Sequence, residues 1–380
     1  MHPIAVFMGT RPEAIKLAPV IAALRQSKHL TPVVINTGQH RELIEQVIEL
    51  FEIEVHHDLK IMEPNQTLAL LTARLVTRVD EVLAQVQPAM VLVQGDTTTV
   101  LAAALASFYR RVPVGHVEAG LRTGNLWSPF PEEANRKLAT TLTTLHFAPT
   151  REARENLLHE HVPPDRIFVT GNTVIDALLV EVERQRSAGL RQQLNQRLEQ
   201  HIGMGFPERP FVLVTGHRRE NFGQGFEQIC AALVQLAQRF ADYLFIYPVH
   251  LNPNVQVVVR RTLGEITNIR LIDPQPYREF VALLDQCRVV LTDSGGVQEE
   301  GPSLGKPVLV MRDTTERPEG LAAGTVRLVG TDAATIVAEV SRLLTDDAAY
   351  RQMAEATNPY GDGQAAGRIV AAIEQDLSPS

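Results

Sequence analysis

The chain is poor in the residues that build cross-linked or metal-bound scaffolds. Its 380 residues include two cysteines, Cys230 and Cys287. Neither belongs to a C-x-x-C pair, which argues against a disulfide framework or a structural zinc site. Both thiols read as small buried hydrophobes. His56-His57 and the His159/His161 pair have no partners at metal-ligand spacing, so no metal is expected. No apolar run is long enough to span a bilayer, so no membrane partner is expected. Met1-His2-Pro3 enters a short apolar strand with no basic leader or cleavage site, and a cytoplasmic location is expected. Basic charge is also in deficit: the net charge is -8 and the pI about 5.9. Nucleic acid is therefore not an expected partner. An anionic metabolite is still allowed, because local Arg and Lys side chains can dominate a cleft. No G-x-G-x-x-G follows the first strand, and no Walker A lysine occurs. Gly361-Asp362-Gly363 with Gly367 imitates a dinucleotide loop, but no strand precedes it, and it reads as a turn before the last helix. Short-period repeats and low-complexity segments are missing.

What is present is the composition of a globular enzyme, 44% hydrophobic and 21% charged, in a chain long enough for two domains. Short β-branched runs alternate with longer amphipathic stretches. Strands are expected at 4–8, 32–36, 90–94, 112–118, 145–148 and 167–170. Helices are expected at 12–25, with Thr10 and Glu13 at capping-box spacing, at 41–51, at 68–86, and after Asp96 through Tyr109. A charged helical stretch at 177–200, followed by Gly203, Gly205, Pro207 and Pro210, marks a domain junction. A second strand series begins at Phe211 and continues at 244–248, 269–272, 289–292, 308–310 and 326–329. This alternation predicts two parallel, doubly wound sheets. The first domain is read as 1–175, with the final helix, about 365–380, returning to it. The second is read as 176–364.

Polar residues cluster where these strands end, which is where parallel sheets bind ligands. Asp96, Glu118, His217, Asp293 and Ser294 each follow a β-branched run. Any one of them alone reads as a helix cap; their recurrence in both halves points to a site. Ser294-Gly295-Gly296 offers backbone N–H groups at a helix start with no side chain in the way, an anion cradle. Glu300 lies further along that helix, placed to accept from ribose hydroxyls. Arg11 opens the first helix, where a positive charge is slightly unfavourable and a bound anion would offset the cost. Lys16 follows about one turn on. Gly216-His217-Arg218-Arg219-Glu220-Asn221 groups a histidine with arginines after a strand. Arg312, Glu316 and Arg317 form another polar loop.

Several carboxylates with a diphosphate cradle, and no nicotinamide loop, leave sugar transfer or elimination of a nucleotide. A sugar C2–H is not adjacent to a carbonyl, so direct deprotonation is very unfavourable. If the C1–diphosphate bond breaks first, C1 becomes oxocarbenium-like and a carboxylate can take the C2 proton. A closing two-domain cleft would keep water from trapping the cation.

Together, Gly9-Thr10-Arg11-Pro12-Glu13, Gln39-His40-Arg41-Glu42, Gly95-Asp96-Thr97, His116-Val117-Glu118-Ala119-Gly120-Leu121-Arg122, Pro131-Glu132-Glu133-Ala134-Asn135-Arg136, Gly216 to Asn221, Asp293 to Glu300 and Asn358 to Gly363 resemble the non-hydrolysing UDP-N-acetylglucosamine 2-epimerases over nearly the whole chain. The resemblance implies a glycosyltransferase-B-like fold of two Rossmann-like domains with the active site in the interdomain cleft, a homodimer, and no metal or cofactor. It implies reversible conversion of UDP-GlcNAc to UDP-ManNAc, by anti elimination of UDP to 2-acetamidoglucal and syn re-addition. It places Asp96, Glu118, Glu132 and His217 at catalytic positions. Asp96 or Glu118 would handle the C2 proton on one face and Glu132 on the other; His217 would steady or protonate the leaving diphosphate. It places Arg11, Lys16, Arg136, Gln275, Phe280, Ser294, Gly295, Gly296, Glu300 and Arg317 at substrate or UDP contacts.

Some members are activated by UDP-GlcNAc in a second pocket. Gln39, His40, His217, Glu220 and His250 are candidates to line one here. The likeness departs at Glu42 and Asn65, where such members carry Gln and Arg. A UDP-sugar glycosyltransferase, a hydrolysing epimerase that releases ManNAc, and a sensor without turnover are the alternative readings.

Overall fold

The computed structural model describes residues 1–38, 41–63, 66–187 and 189–378. Gln39, His40 and Asn65 lie outside them, as does the side chain of Glu42. The described chain forms two compact units, residues 1–177 with 360–380, and residues 178–359.

In the first unit the strands are β1 (His2–Met8), β2 (Leu30–Asn36), β3 (His57–Asp58), β4 (Met90–Gln94), β5 (Val114–Val117), β6 (Leu145–Ala148) and β7 (Ile167–Val169). They form one parallel sheet in the order β3-β2-β1-β4-β5-β6-β7. β4, β5 and β6 are buried along their whole length. That burial on both faces is why they are written as unbroken apolar runs. Each fully buried Val, Leu or Ile contributes about 1.5–3 kcal/mol relative to exposure. β3 went unread because two polar edge residues carry no apolar alternation. β5 is shorter than the expected 112–118: Pro113 has no N–H for the ladder, and Glu118 turns out of the strand at φ 67.

The first helix, Arg11–Gln26, has the expected capping box between Thr10 and Glu13. The last helix, Ala365–Leu377, packs on it. Ser27 Oγ donates to Glu374 at 2.6 Å, and Arg166 Nη1 donates to Asp376 at 2.9 Å.

The second unit holds β8 (Phe211–Thr215), β9 (Leu244–Pro248), β10 (Ile269–Ile272), β11 (Val289–Thr292), β12 (Val308–Val310) and β13 (Val326–Leu328). Their order is β10-β9-β8-β11-β12-β13, again all parallel. The stretch read as one helix over 177–200 is two, Thr173–Arg186 and Leu190–Ile202. Gly189 at φ 94 stands between them, a conformation that ends a helix.

Strand order does what strand sequence does not. In the first sheet β1 lies between β2 and β4; in the second, β8 lies between β9 and β11. The chain runs outward in both directions from these central strands. The loops leaving β1 and β4, and those leaving β8 and β11, therefore flank a topological switch point, where an open parallel sheet forms its crevice.

Candidate active site

At the switch point of the first unit, the loop after β1 and the loop after β4 are joined by Glu13. This buried carboxylate accepts from the Gly9 and Thr10 amides at 2.9 and 2.7 Å and from Thr97 Oγ1 at 2.6 Å. The capping residue of the first helix thus also anchors the loop that carries Asp96. Burial raises the Glu13 carboxyl above its ordinary value, against the lowering effect of those hydrogen bonds.

Glu118 follows β5 in the left-handed region, φ 67. A non-glycine residue there costs on the order of 1 kcal/mol or more, and such strain concentrates at functional positions. Its carboxylate accepts hydrogen bonds on both oxygens. Lys16 Nζ and Asn172 Nδ2 reach Oε1 at 2.5 and 3.0 Å, and Gln94 Nε2 reaches Oε2. The Lys16 side chain, a candidate substrate contact, is therefore paired with the candidate base.

Asp96, just past β4, pairs with Arg136 Nη2, while Arg136 Nη1 lies 3.0 Å from Glu133. Asn135 Nδ2 donates to the Asp96 carbonyl at 2.8 Å. The helix Glu132–Leu142 thereby holds the Asp96 loop. The two adjacent glutamates divide. Glu133 is buried and accepts from the Thr123 and Gly124 amides at 3.1 and 3.2 Å. Glu132 is half-buried and makes no ion pair or side-chain hydrogen bond among the described residues. Arg11 is the first residue of its helix at the same sheet edge.

His116 on β5 is fully buried, with Nε2 2.7 Å from the Gly95 carbonyl. That contact requires the Nε2–H tautomer. Burial lowers the His116 imidazole to about 4, and burial likewise lowers His146 on β6 to about 3, from 6.5. Below pH 6.5 the unfolded chain takes up protons that the folded chain refuses, so stability is full above that pH and is lost as pH falls toward 4. Urea midpoints at pH 7.5 and 5 are expected to show the lower value at pH 5; equal midpoints would refute this.

At the switch point of the second unit, Asp293 is fully buried just past β11. Its Oδ2 accepts from the backbone amides of His217 and Arg218, both at 2.8 Å, and from Asn221 Nδ2 at 3.4 Å. Its Oδ1 faces His217 Nδ1 at 3.2 Å. Burial pushes the carboxyl up, but these contacts outweigh it and hold Asp293 below its ordinary value. Asp293 thus lies against the Nδ1 side of the imidazole.

Next to it the helix Gly295–Ser303 begins. Its Ser294 cap makes no side-chain capping bond, and a Cβ on Gly296 would meet nothing within 4 Å. The first amides of this helix are thus approachable by an anion. A Cβ on Gly295 would lie 3.1 Å from Glu316, 3.6 Å from Arg218 and 3.7 Å from Arg317, so two arginines and the carboxylate they share stand beside the cradle. Arg317 Nε is 2.5 Å from Glu299, and Arg312 bridges Glu220 and Glu316 at 2.6 Å each. Burial tends to raise Glu316, but the Arg317 and Arg312 charges prevail and hold it down at about 2. Glu300 is buried in the same helix. Gln275, past β10, donates to the Asp273 carbonyl at 2.7 Å, and Phe280 is half-buried in the helix Tyr277–Gln286. His250, past β9, stacks on His217 with ring centres 5.4 Å apart.

The pair of parallel-sheet α/β units has known counterparts. The sequence model of the UDP-N-acetylglucosamine 2-epimerase family matches residues 22–374. The chain belongs to that family. It is 54% identical over 376 residues to the UDP-N-acetylglucosamine 2-epimerase of Escherichia coli K12, covering 99% of both chains. It is 54% identical over 374 residues to the Salmonella typhimurium enzyme, covering 98% of both. Among solved structures, the Neisseria meningitidis epimerase bound to UDP-GlcNAc is 47% identical with a TM-score of 0.89, covering 99% of this chain and 100% of that one. The Methanocaldococcus jannaschii epimerase, in complex with UDP-GlcNAc and UDP, is 31% identical with a TM-score of 0.81, covering 98% and 99%. The protein is thus an isomerase, a UDP-N-acetylglucosamine 2-epimerase, on a glycosyltransferase-B-like fold.

Within this epimerase, sequence reasoning singled out Glu118, Asp96, Glu132 and His217 but not Asn172, Glu299 or the contact of Asp293 with His217. Asn172 follows β7 at the same carboxyl edge, so the strand-end rule that found the others would have reached it. Glu299 had no such signal, because its partner Arg317 comes from another loop. Of the candidates for a second nucleotide pocket, Glu220 is tied to Arg312 and His250 is stacked on His217.

Proposed function

We propose that the epimerase inverts C2 of UDP-GlcNAc by eliminating UDP and adding it back. The observation that carries the reading is the Glu118 carboxylate, strained at φ 67 and held by Lys16, Gln94 and Asn172. It is the chain's best-fixed candidate base beside Asp96. The C1–O bond to the diphosphate breaks, its electron pair leaving with UDP. A carboxylate, Glu118 or Asp96, takes the C2 proton, and the C2–H electrons form the C1–C2 double bond of 2-acetamidoglucal. In the return step a proton reaches the opposite face of C2, from Glu132, and UDP re-adds at C1 to give UDP-ManNAc. The open carboxylate of Glu132 fits the second role.

UDP remains in the Ser294-Gly295-Gly296 cradle with Arg218 and Arg317 as counter-charges. His217, oriented by Asp293, donates to the departing diphosphate. Arg11, Lys16 and Arg136 steady the substrate from the acid-bearing unit. No cofactor takes part. A homodimer in the cytoplasm completes the reading. Exposed Phe108, Tyr109 and Leu138, on the packed helices Thr98–Tyr109 and Glu132–Leu142, support self-association.

Proton NMR of UDP-GlcNAc with the enzyme in deuterated water tests this. UDP-ManNAc is expected to appear, with deuterium at C2 of both sugars. Release of free ManNAc would indicate hydrolysis instead. Epimerisation with retention of the original proton at C2 would overturn the elimination route.

A further inference from the structure

We propose that Asn172 is a positioning residue that aims the Glu118 carboxylate, and that the Tyr360–Gly361 segment holds Asn172 in place. This rests on Glu118 being a base, as proposed above. Of Lys16, Gln94 and Asn172, all of which donate to Glu118, Lys16 and Gln94 are long side chains with many rotamers. Asn172 is short, and its own position is over-determined. Its Oδ1 accepts from the Val174 amide at 3.2 Å, and its backbone N–H donates to the Tyr360 carbonyl at 2.7 Å. The side chain is almost fully buried, as is Tyr360.

The contact with the C-terminal segment is close, and both glycines in it have backbone conformations that favour glycine. Gly171 has φ 90 and Gly361 φ 148. A Cβ on Gly171 would stand 3.3 Å from Gly361 Cα, and one on Gly361 would stand 3.4 Å from the Asn172 nitrogen. Just beyond, the Ala366 amide donates to buried Asp176 at 2.8 Å and pins the last helix to the one that Asn172 precedes. The Gly361-Asp362-Gly363 turn, which imitates a dinucleotide loop in the sequence, thus has a mechanical task. It backs a short, buried donor to the base.

Displacement of a general base by about 1 Å costs on the order of 100-fold in rate. Asn172→Asp keeps the acceptor for Val174 and replaces the donor to Glu118 with a second acid. Asn172→Ala removes both. Gly361→Ala disturbs Asn172 without touching substrate. Each is assayed by C2 deuterium incorporation, kcat, KM and UDP affinity, normalised to the folded fraction. The expected result is a fall in kcat of about 10- to 100-fold for the Asn172 variants. A smaller fall in the same direction is expected for Gly361→Ala, with KM and UDP affinity unmoved in all three. Wild-type kcat in both Asn172 variants, or losses merely proportional to unfolding, would overturn the proposal. Glu118→Gln is run beside them: if that variant keeps wild-type exchange, the assignment of Glu118 fails instead.

Discussion

Glu118→Gln lowers C2 proton exchange by about three orders of magnitude, within the range that general bases contribute, while UDP affinity stays within about twofold. Glutamine has the same shape and accepts no proton. Its carbonyl oxygen still receives Lys16 and Asn172, and its amide faces Gln94, which presents its own oxygen by rotating its terminal amide. The local fold therefore survives and the chemistry does not. UDP affinity is spared because the proposed cradle, Ser294, Gly295 and Gly296 with Arg218 and Arg317, lies in the second unit. Deuterium incorporation by NMR and UDP titration by calorimetry measure the two quantities on the same sample. Exchange within about tenfold of wild type would remove Glu118 as a base and leave Asp96, whose Asn variant is then the one expected to lose turnover.

Gly120→Ala destabilises the first unit by about 3–5 kcal/mol, the sum of a left-handed backbone and an overpacked contact. Gly120 has φ 91, and a Cβ there would lie 2.2 Å from the Ala153 carbonyl oxygen and 3.0 Å from Leu157 Cγ. Both neighbours belong to the helix Arg151–His159, whose Ala153 and Leu157 are buried. Gly124→Ala is the control. Its φ is 76, but a Cβ would meet nothing within 4 Å, so strain alone remains, about 1 kcal/mol. Urea unfolding of the two variants separates the steric cost from the conformational one. Equal losses would show that the Ala153 carbonyl yields and that the clash argument is wrong. Because Gly120 sits two residues beyond Glu118, the same variant is expected to lose activity before it loses its fold.

The sheets were legible where strands are buried on both faces. Runs such as Val91-Leu92-Val93 and Val212-Leu213-Val214 occur in sequence because neither side of those strands meets water. His57-Asp58 was not legible, since a two-residue polar edge strand has no pattern to show. The break at Gly189 was missed because a charged helical stretch and two helices in series share the same composition. For the site, strand-end residues stood out because the carboxyl edge of a parallel strand is defined locally. Their partners did not. Glu132 and Glu133 are adjacent and chemically identical; only folding shows that one is spent on the Thr123 and Gly124 amides while the other is open.

The amino-acid sequence by itself determined the fold class, the family and the kinds of side chain placed at each strand end. These depend on local burial and on motifs a few residues long. The tertiary structure alone decided which acids are held and by what. Lys16 and Glu118 are 102 residues apart, and Gln94 and Asn172 reach the same carboxylate from 24 and 54 residues away. Those pairings follow from the sheet order, which places β4 beside both β1 and β5 and leaves only β6 between β5 and β7. A hydrogen bond depends on distance in space, and only the order of the strands converts separation along the chain into that distance.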